Sequence, residues 1–237
     1  MSTLLLRLAA PMQAWGTDSK FNRRMTGREP SKSGVVGLIA AALGRRRTED
    51  INALRALCFG VRIDQPGSLV RDYHITRNDM NVWRKKREVD AFLSERYYLA
   101  DAVFLVGLEG DEKFLLEIDR AIQSPAFPLF LGRRSCPPTG RLSLGIRKTG
   151  LDHALNEEPW LASDWYKKRL SEKKPTLEIL RDACDVENAV FETQDYPLSF
   201  DQRHRQFTLR GTMRRNISYC HTEHDPFEYI GCDVTKQ

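Results

Sequence analysis

The side chains in this sequence that could do chemistry are mostly arginines and lysines in short runs. They are Arg23-Arg24, Arg45-Arg46-Arg47, Arg84-Lys85-Lys86-Arg87, Arg133-Arg134, Lys167-Lys168-Arg169 and Arg214-Arg215. Arginine dominates, and its planar fork suits bidentate contact with phosphate and stacking on bases. One such run is usually a solvated surface, whereas six in one modest chain point toward nucleic acid. A second anion-attracting feature is Pro30-Ser31-Lys32-Ser33-Gly34. It opens an apolar helix whose first free amides and neighbouring lysine favour a phosphate. The structural alternative there is a serine cap beside a solvated lysine. A nucleotide P-loop is excluded, because counting from Gly27 it would need Gly at 32 and Lys at 33.

Other groups carry less. His74, in Arg71-Asp72-Tyr73-His74, could take a proton from a ribose 2′-hydroxyl. One base without an evident acid is half a mechanism, so a histidine hydrogen-bonded at a strand end is the expected reading. Cys220, His221, His224 and Cys232 have zinc-binding atom types. Their spacing fits no standard finger, and no metal is expected. There is no nucleophile elbow, metal-ligand helix or dinucleotide fingerprint, so no cofactor is expected and no catalytic residue is assigned.

These residues must be positioned by a chain of 237 residues, 41% hydrophobic and 29% charged, with a formal charge of +5. That length supports one large domain or two small ones. Five scattered cysteines argue for free thiols in a reducing compartment, and the apolar start from Met1 to Ala10 is too short for a signal or a membrane span. A cytoplasmic protein is expected. Thr3 to Ala9 alternates as a strand, with Leu4, Leu6 and Leu8 on one side. Pro11 to Gly16 is a loop. The helix that follows is apolar all round, hence buried, and Gly44 can stop it. A short helix begins at Thr48. Cys58 to Asp64 and Leu69 to Ile75 read as strands about a Pro66-Gly67 turn.

Residues 76–95 are polar and basic, with Trp83 and Phe92 isolated within them. This is either a floppy loop or an arm whose tryptophan stacks on bases while its cations track phosphates. Arg96 to Leu108 reads as one strand, Asp111 to Gln123 as a capped helix, Leu129 to Leu131 as a short strand and Arg141 to Lys148 as another. Through Lys148 the order is strand, helix, strand, strand, helix, strand. The fold class is therefore α+β, ferredoxin-like βαββαβ. The glycine-aromatic strand of the RNA-recognition motif is missing. RNA would then meet loops, arm and helix start rather than sheet aromatics. We place a boundary near Lys148, giving a domain over 1–148 and an extension over 149–237. The extension starts as a charged helix from Leu151 to Lys174, stopped by Pro175. It continues as short strands at Ala189–Thr193, Tyr196–Phe200, Gln206–Met213 and Asn216–Cys220.

Pro11-Met12-Gln13-Ala14-Trp15-Gly16, the Ser33-Gly34 helix start, Arg71-Asp72-Tyr73-His74 and Leu131-Gly132-Arg133-Arg134-Ser135-Cys136-Pro137 together resemble the CasD family. These are the fifth Cas proteins of subtype E, RAMP-type subunits of type I-E CRISPR Cascade complexes. The resemblance implies a RAMP domain with a thumb-like arm around residues 76–95. It implies a non-catalytic subunit, acting in antiviral defence, that binds the 5′ handle of the CRISPR RNA. It further implies contact with the Cascade backbone subunit and large subunit, and proximity to target DNA. Carried onto this chain, Gln13, Trp15, Lys32, Ser33 and Gly34 would line the handle pocket, and Arg71, Tyr73 and His74 would border it. Arg84, Lys85, Lys86 and Arg87 would follow the guide, while Arg23, Arg24, Arg133 and Arg134 would hold phosphates. The rival is a metal-independent endoribonuclease. Subtype C relatives cut precursor RNA with a Tyr-Lys-His set, but no adjacent Lys-His pair occurs here. A DNA-binding or protein-only adaptor is the third reading.

Overall fold

The computed structural model describes residues 1–16, 22–77, 91–170, 175–183 and 191–218. Its centre is a four-stranded antiparallel unit made by β1 (Ser2–Ala9), β4 (Cys58–Gln65), β7 (Val103–Gly110) and β8 (Ser143–Arg147). With α1 (Lys32–Ala42) and α3 (Glu112–Gln123) these run βαββαβ along the chain. Their spatial order is β4-β7-β1-β8, the ferredoxin-like arrangement. Leu4, Leu6 and Leu8 join Val35, Val36 and Ile39 of α1 and Leu115 and Ile118 of α3 in the main core. Both long helices begin as the sequence dictates. Ser31 accepts from the Gly34 amide, and Asp111 accepts from the amides of Lys113 and Phe114. Gly44, at φ +74°, closes α1, with the short helix α2 (Asn52–Arg55) after it.

The other face of the sheet is also covered. Leu5 and Leu105 pack with Leu151, Ala154 and Leu155 of α4 (Leu151–Glu157). A Cβ at Gly107 would stand 2.5 Å from Leu151 Cδ1, so the missing side chain lets α4 lie flat. The sheet therefore offers no open platform for bases.

Several elements differ from the sequence reading. Arg96 to Leu108 is two strands, β6 (Ala91–Ala100) and β7, separated at Asp101. Asp101 has φ +54°, a conformation that aspartate tolerates better than most residues, and its amide donates to Pro11 O. Leu69 to Ile75 is no core strand. It lies in β5 (Ser68–Arg77), which pairs with β6 over its whole length. With β2 (Met12–Gln13) and β3 (Arg23–Arg24), also on β6, they form a second sheet. Leu129 to Leu131 forms no strand, since its backbone is used by Cys136 and Ala14 instead. The expected helix from Leu151 to Lys174 breaks at Pro159 into α4 and α5 (Asp164–Leu170). Arg62, fully buried, braces that break: it pairs with Asp64 and donates to the carbonyls of Leu155, Glu158 and Pro159. Burial pushes the Asp64 carboxyl up, and the Arg62 hydrogen bond opposes it.

The four short C-terminal strands are two long ones, β10 (Phe191–Ser199) and β11 (Gln206–Ser218), and a further strand, β9 (Thr176–Asp182), precedes them. All three continue the first sheet as β10-β11-β9-β4. Trp83, the Arg84-to-Arg87 run and the Cys220, His221, His224 and Cys232 set lie outside the described residues. No helix among the described residues is long and apolar enough to cross a membrane.

Candidate nucleic-acid interface

Trp15 is the joint between the sequence motifs. It is 1% exposed, and its indole Nε1 donates to Gln13 Oε1 at 3.1 Å. Gln13, fully buried, donates onward to Ala102 O at 2.7 Å and Leu8 O at 3.3 Å. The ring lies against the start of α1, where a Cβ on Gly34 would sit 2.9 Å from Trp15 Cε3. Gly132 presses on the same loop at φ +85°, and a Cβ there would overlap Ala14 O at 1.7 Å. Only glycine meets both demands. The motifs around Gln13, Gly34 and Gly132 thus converge by packing, and the convergence fixes where Arg133 and Arg134 leave the loop.

Lys32 lies in the interior. It is 3% exposed, and its ammonium donates to Asp182 Oδ2 at 2.7 Å and Leu57 O at 2.9 Å. Its amide, at the helix start, donates to Asp195 Oδ2 at 2.7 Å. Arg210 completes the cluster, gripping Asp195 with Nε and Nη2 at 2.8 Å each and also bonding Asp182. Burial alone would lower the Arg210 pKa, but hydrogen bonding and charge from Asp195, with Asp182, leave it raised. Two cations and two carboxylates are thereby matched inside the fold. The anion that α1 attracts is a carboxylate of the chain itself. Ser33 is half-buried, with its hydroxyl 3.4 Å from that of Ser31.

The second sheet carries accessible cations, and its two faces differ. Strand register puts Arg71, Tyr73, Glu95, Tyr97 and Arg23 on one face. Arg23 lies over the Tyr97 ring at 5.5 Å and approaches Glu95 at 3.9 Å, while Arg71 reaches Glu95 at 3.7 Å. Tyr73, Leu69 and Ile75 are each more than half exposed beside them. The opposite face carries Asp72, His74, Arg96, Tyr98 and Arg24. His74 therefore points away from Arg71 and Tyr73. Onto this face comes Arg133, whose guanidinium lies 4.6 Å over the Tyr98 ring and donates to Arg24 O at 3.1 Å. Arg134 is exposed on the same loop. The Cys136 thiol is pushed up by burial, which suits a core atom rather than a reactive one.

The sequence did not single out Arg96 or Tyr98. Arg96 is no member of an arginine pair, and it becomes visible only when β6 is paired with β3 and β5. Arg96 Nε and Arg133 Nη1 are both buried without a hydrogen-bond partner. Among the described residues no group of three or more His, Cys, Asp or Glu is arranged to hold a metal. Arg24, Arg96 and Arg133 form no ion pair among the described residues, so the face offers cationic forks.

Residues 3–214 match the family model described as CRISPR-associated protein (Cas_Cas5). The chain is 38% identical over 159 residues to the CRISPR system Cascade subunit CasD of Escherichia coli (strain K12), covering 61% of this chain and 70% of that protein. A Cas protein crystal structure superposes with a TM-score of 0.70 at 37% identity, covering 91% of this chain and 95% of the other. A chain of a CRISPR RNA-guided surveillance complex gives 0.74 at 30% identity, covering 91% and 90%.

Proposed function

Because the chain belongs to the CRISPR-associated Cas5 family, as a CasD-type RAMP protein of type I-E systems, we propose that it is a non-catalytic RNA-binding subunit of Cascade. It holds the 5′ handle of the CRISPR RNA and joins the backbone subunits to the large subunit. The observation that carries this reading is Arg133. Its guanidinium is held over Tyr98 and against Arg24 O, on the sheet face that carries Arg24 and Arg96, with one nitrogen left unpaired. Forks held rigid by their neighbours bind phosphate with little further ordering.

Base pairing reads the target in such complexes, so a guide-holding subunit needs backbone contacts rather than base readout. On this reading Arg24, Arg133 and Arg134 contact phosphates, and Arg23, Arg71, Tyr73 and His74 border the strand. Arg84, Lys85, Lys86 and Arg87 follow the guide. Gln13, Trp15, Ser33 and Gly34 serve from beneath, by fixing the loop and helix start on which the contacts stand, while Lys32, closed within its own ion pair, contacts no RNA.

The test is binding of handle RNA by the full chain as salt is raised. Arg133→Ala with Arg134→Ala should weaken binding and flatten the log–log salt slope by about 0.7 per lost phosphate contact. Unchanged affinity and slope would remove the assignment. Repeat RNA incubated without metal separates the nuclease reading: site-specific cleavage abolished by His74→Ala would replace the proposal.

A further inference from the structure

We infer that Arg96, with Arg24 and Arg133, forms a pocket for one backbone phosphate, on the face of β6 opposite Arg71 and Tyr73. The inference rests on the RNA-binding reading and deepens it. Three independent placements bring the three arginines to one face of the sheet. Arg24 lies beside Arg96 in the parallel pairing of β3 with β6. Tyr98 is two residues from Arg96 on the same face, and Arg133 is stacked on its ring at 4.6 Å. Arg133 also donates to Arg24 O, which ties the loop to β3.

Paired arginines explain themselves, and these two do not. Arg96 Nε and Arg133 Nη1 are removed from water yet bond nothing. Buried donors are nearly always satisfied, and a ligand oxygen is one way to satisfy them. Asp72 is opposite Arg96 in the register, but among the described residues no ion pair joins them. A tetrahedral group with several acceptor oxygens fits donors arriving from three directions better than a planar carboxylate does. Tyr98 is buried under Arg133, so the pocket reads no base.

The phosphate is either an internal linkage or a 5′-terminal group, and the experiment separates them. The probe is fluorescein-labelled single-stranded handle RNA, made with 5′-hydroxyl, with 5′-phosphate, and with one neutral methylphosphonate linkage moved along the strand. The proteins are the full chain, Arg96→Ala, Arg96→Lys and, as a distant control on α3, Lys113→Ala.

Arg96→Ala should bind about tenfold more weakly at 0.15 M salt, with the slope flattened by about 0.7. One linkage, or the 5′-phosphate alone, should matter to the unaltered chain and no longer to Arg96→Ala, which identifies the source. Arg96→Lys keeps the charge and loses the fork, so the slope should persist while affinity falls several-fold. If Arg96→Ala and Arg96→Lys both match the unaltered chain while Arg133→Ala with Arg134→Ala still weakens binding, the pocket is wrong and the RNA-binding reading survives. If the unaltered chain shows no salt-dependent RNA binding, both fall.

Discussion

Two places in this molecule gather cations, and they end differently. At the start of α1, Lys32 and Arg210 are met by Asp182 and Asp195, so the cluster is neutral and closed. On the second sheet Arg24, Arg96 and Arg133 converge with two donor nitrogens unpaired. In sequence the first place offers an anion site, a capped helix start flanked by lysine, beside the alternative of a plain serine cap. The fold removes that site: its own carboxylates close one place, while among the described residues no ion pair reaches Arg24, Arg96 or Arg133 at the other. An electropositive spot is available to a ligand only where the chain leaves it unanswered. The closed cluster holds the fold together, and the open one is the place proposed for the phosphate.

The largest effect should come from breaking the closed cluster. Lys32→Met leaves Asp182 short of a buried partner and should destabilise by about 3–5 kcal/mol. For a chain of this size that lowers the melting temperature by about 6–20 °C. The RNA affinity of the protein that remains folded should not change. A stable Lys32→Met protein with impaired binding would invert the comparison.

Gly132→Ala links the two regions. Its Cβ cannot coexist with Ala14 O, so the loop must shift at a cost of about 2–3 kcal/mol. Melting should reveal that loss, and Arg133 should lose its place with it, weakening RNA binding at low temperature. Arg133→Ala sharpens the contrast. A hydrogen bond and a cation–π contact are lost while an unpaired donor is relieved, so stability should move by less than about 1 kcal/mol. RNA affinity should still fall about tenfold or more, equivalent to about 1.4 kcal/mol.

Smallest is Arg71→Ala. Its link to Glu95 is long and exposed, so stability should change by less than about 0.5 kcal/mol and RNA affinity by about threefold or less. A larger loss than Arg133→Ala would move the main contact to the other face of the sheet.

Much of the fold could be read from local signals. The capped starts of α1 and α3, Gly44 as the stop of α1, and the alternation of Leu4, Leu6 and Leu8 are short-range features, and they match the structure. The long-range features were opaque. Nothing local marks Asp101 as the bend that splits β6 from β7, since aspartate in the left-handed region is uncommon. Nor does alternation tell which sheet a strand joins, so nothing local separates β5 from the strands of the first sheet. Arg62 is hidden for a similar reason: an arginine in a strand looks solvated until three carbonyls and Asp64 surround it. At the interface, doublets drew attention to Arg133 and the neighbouring Arg134, whereas Arg96 acquires its meaning only from strands that pair with it. Lys32 shows the converse, a residue whose neighbours in sequence advertise a ligand and whose partners in space lie far along the chain.

The amide of Lys32 and the carboxylate that receives it are 163 positions apart. During synthesis the first helix must therefore wait for its answering charge, for about 8–33 s at ordinary ribosomal speeds. Through that interval the nascent chain holds the lysine and its amide without either of the carboxylates that receive them in the finished fold. Arrival of β9 and β10, which carry Asp182 and Asp195, then supplies both carboxylates.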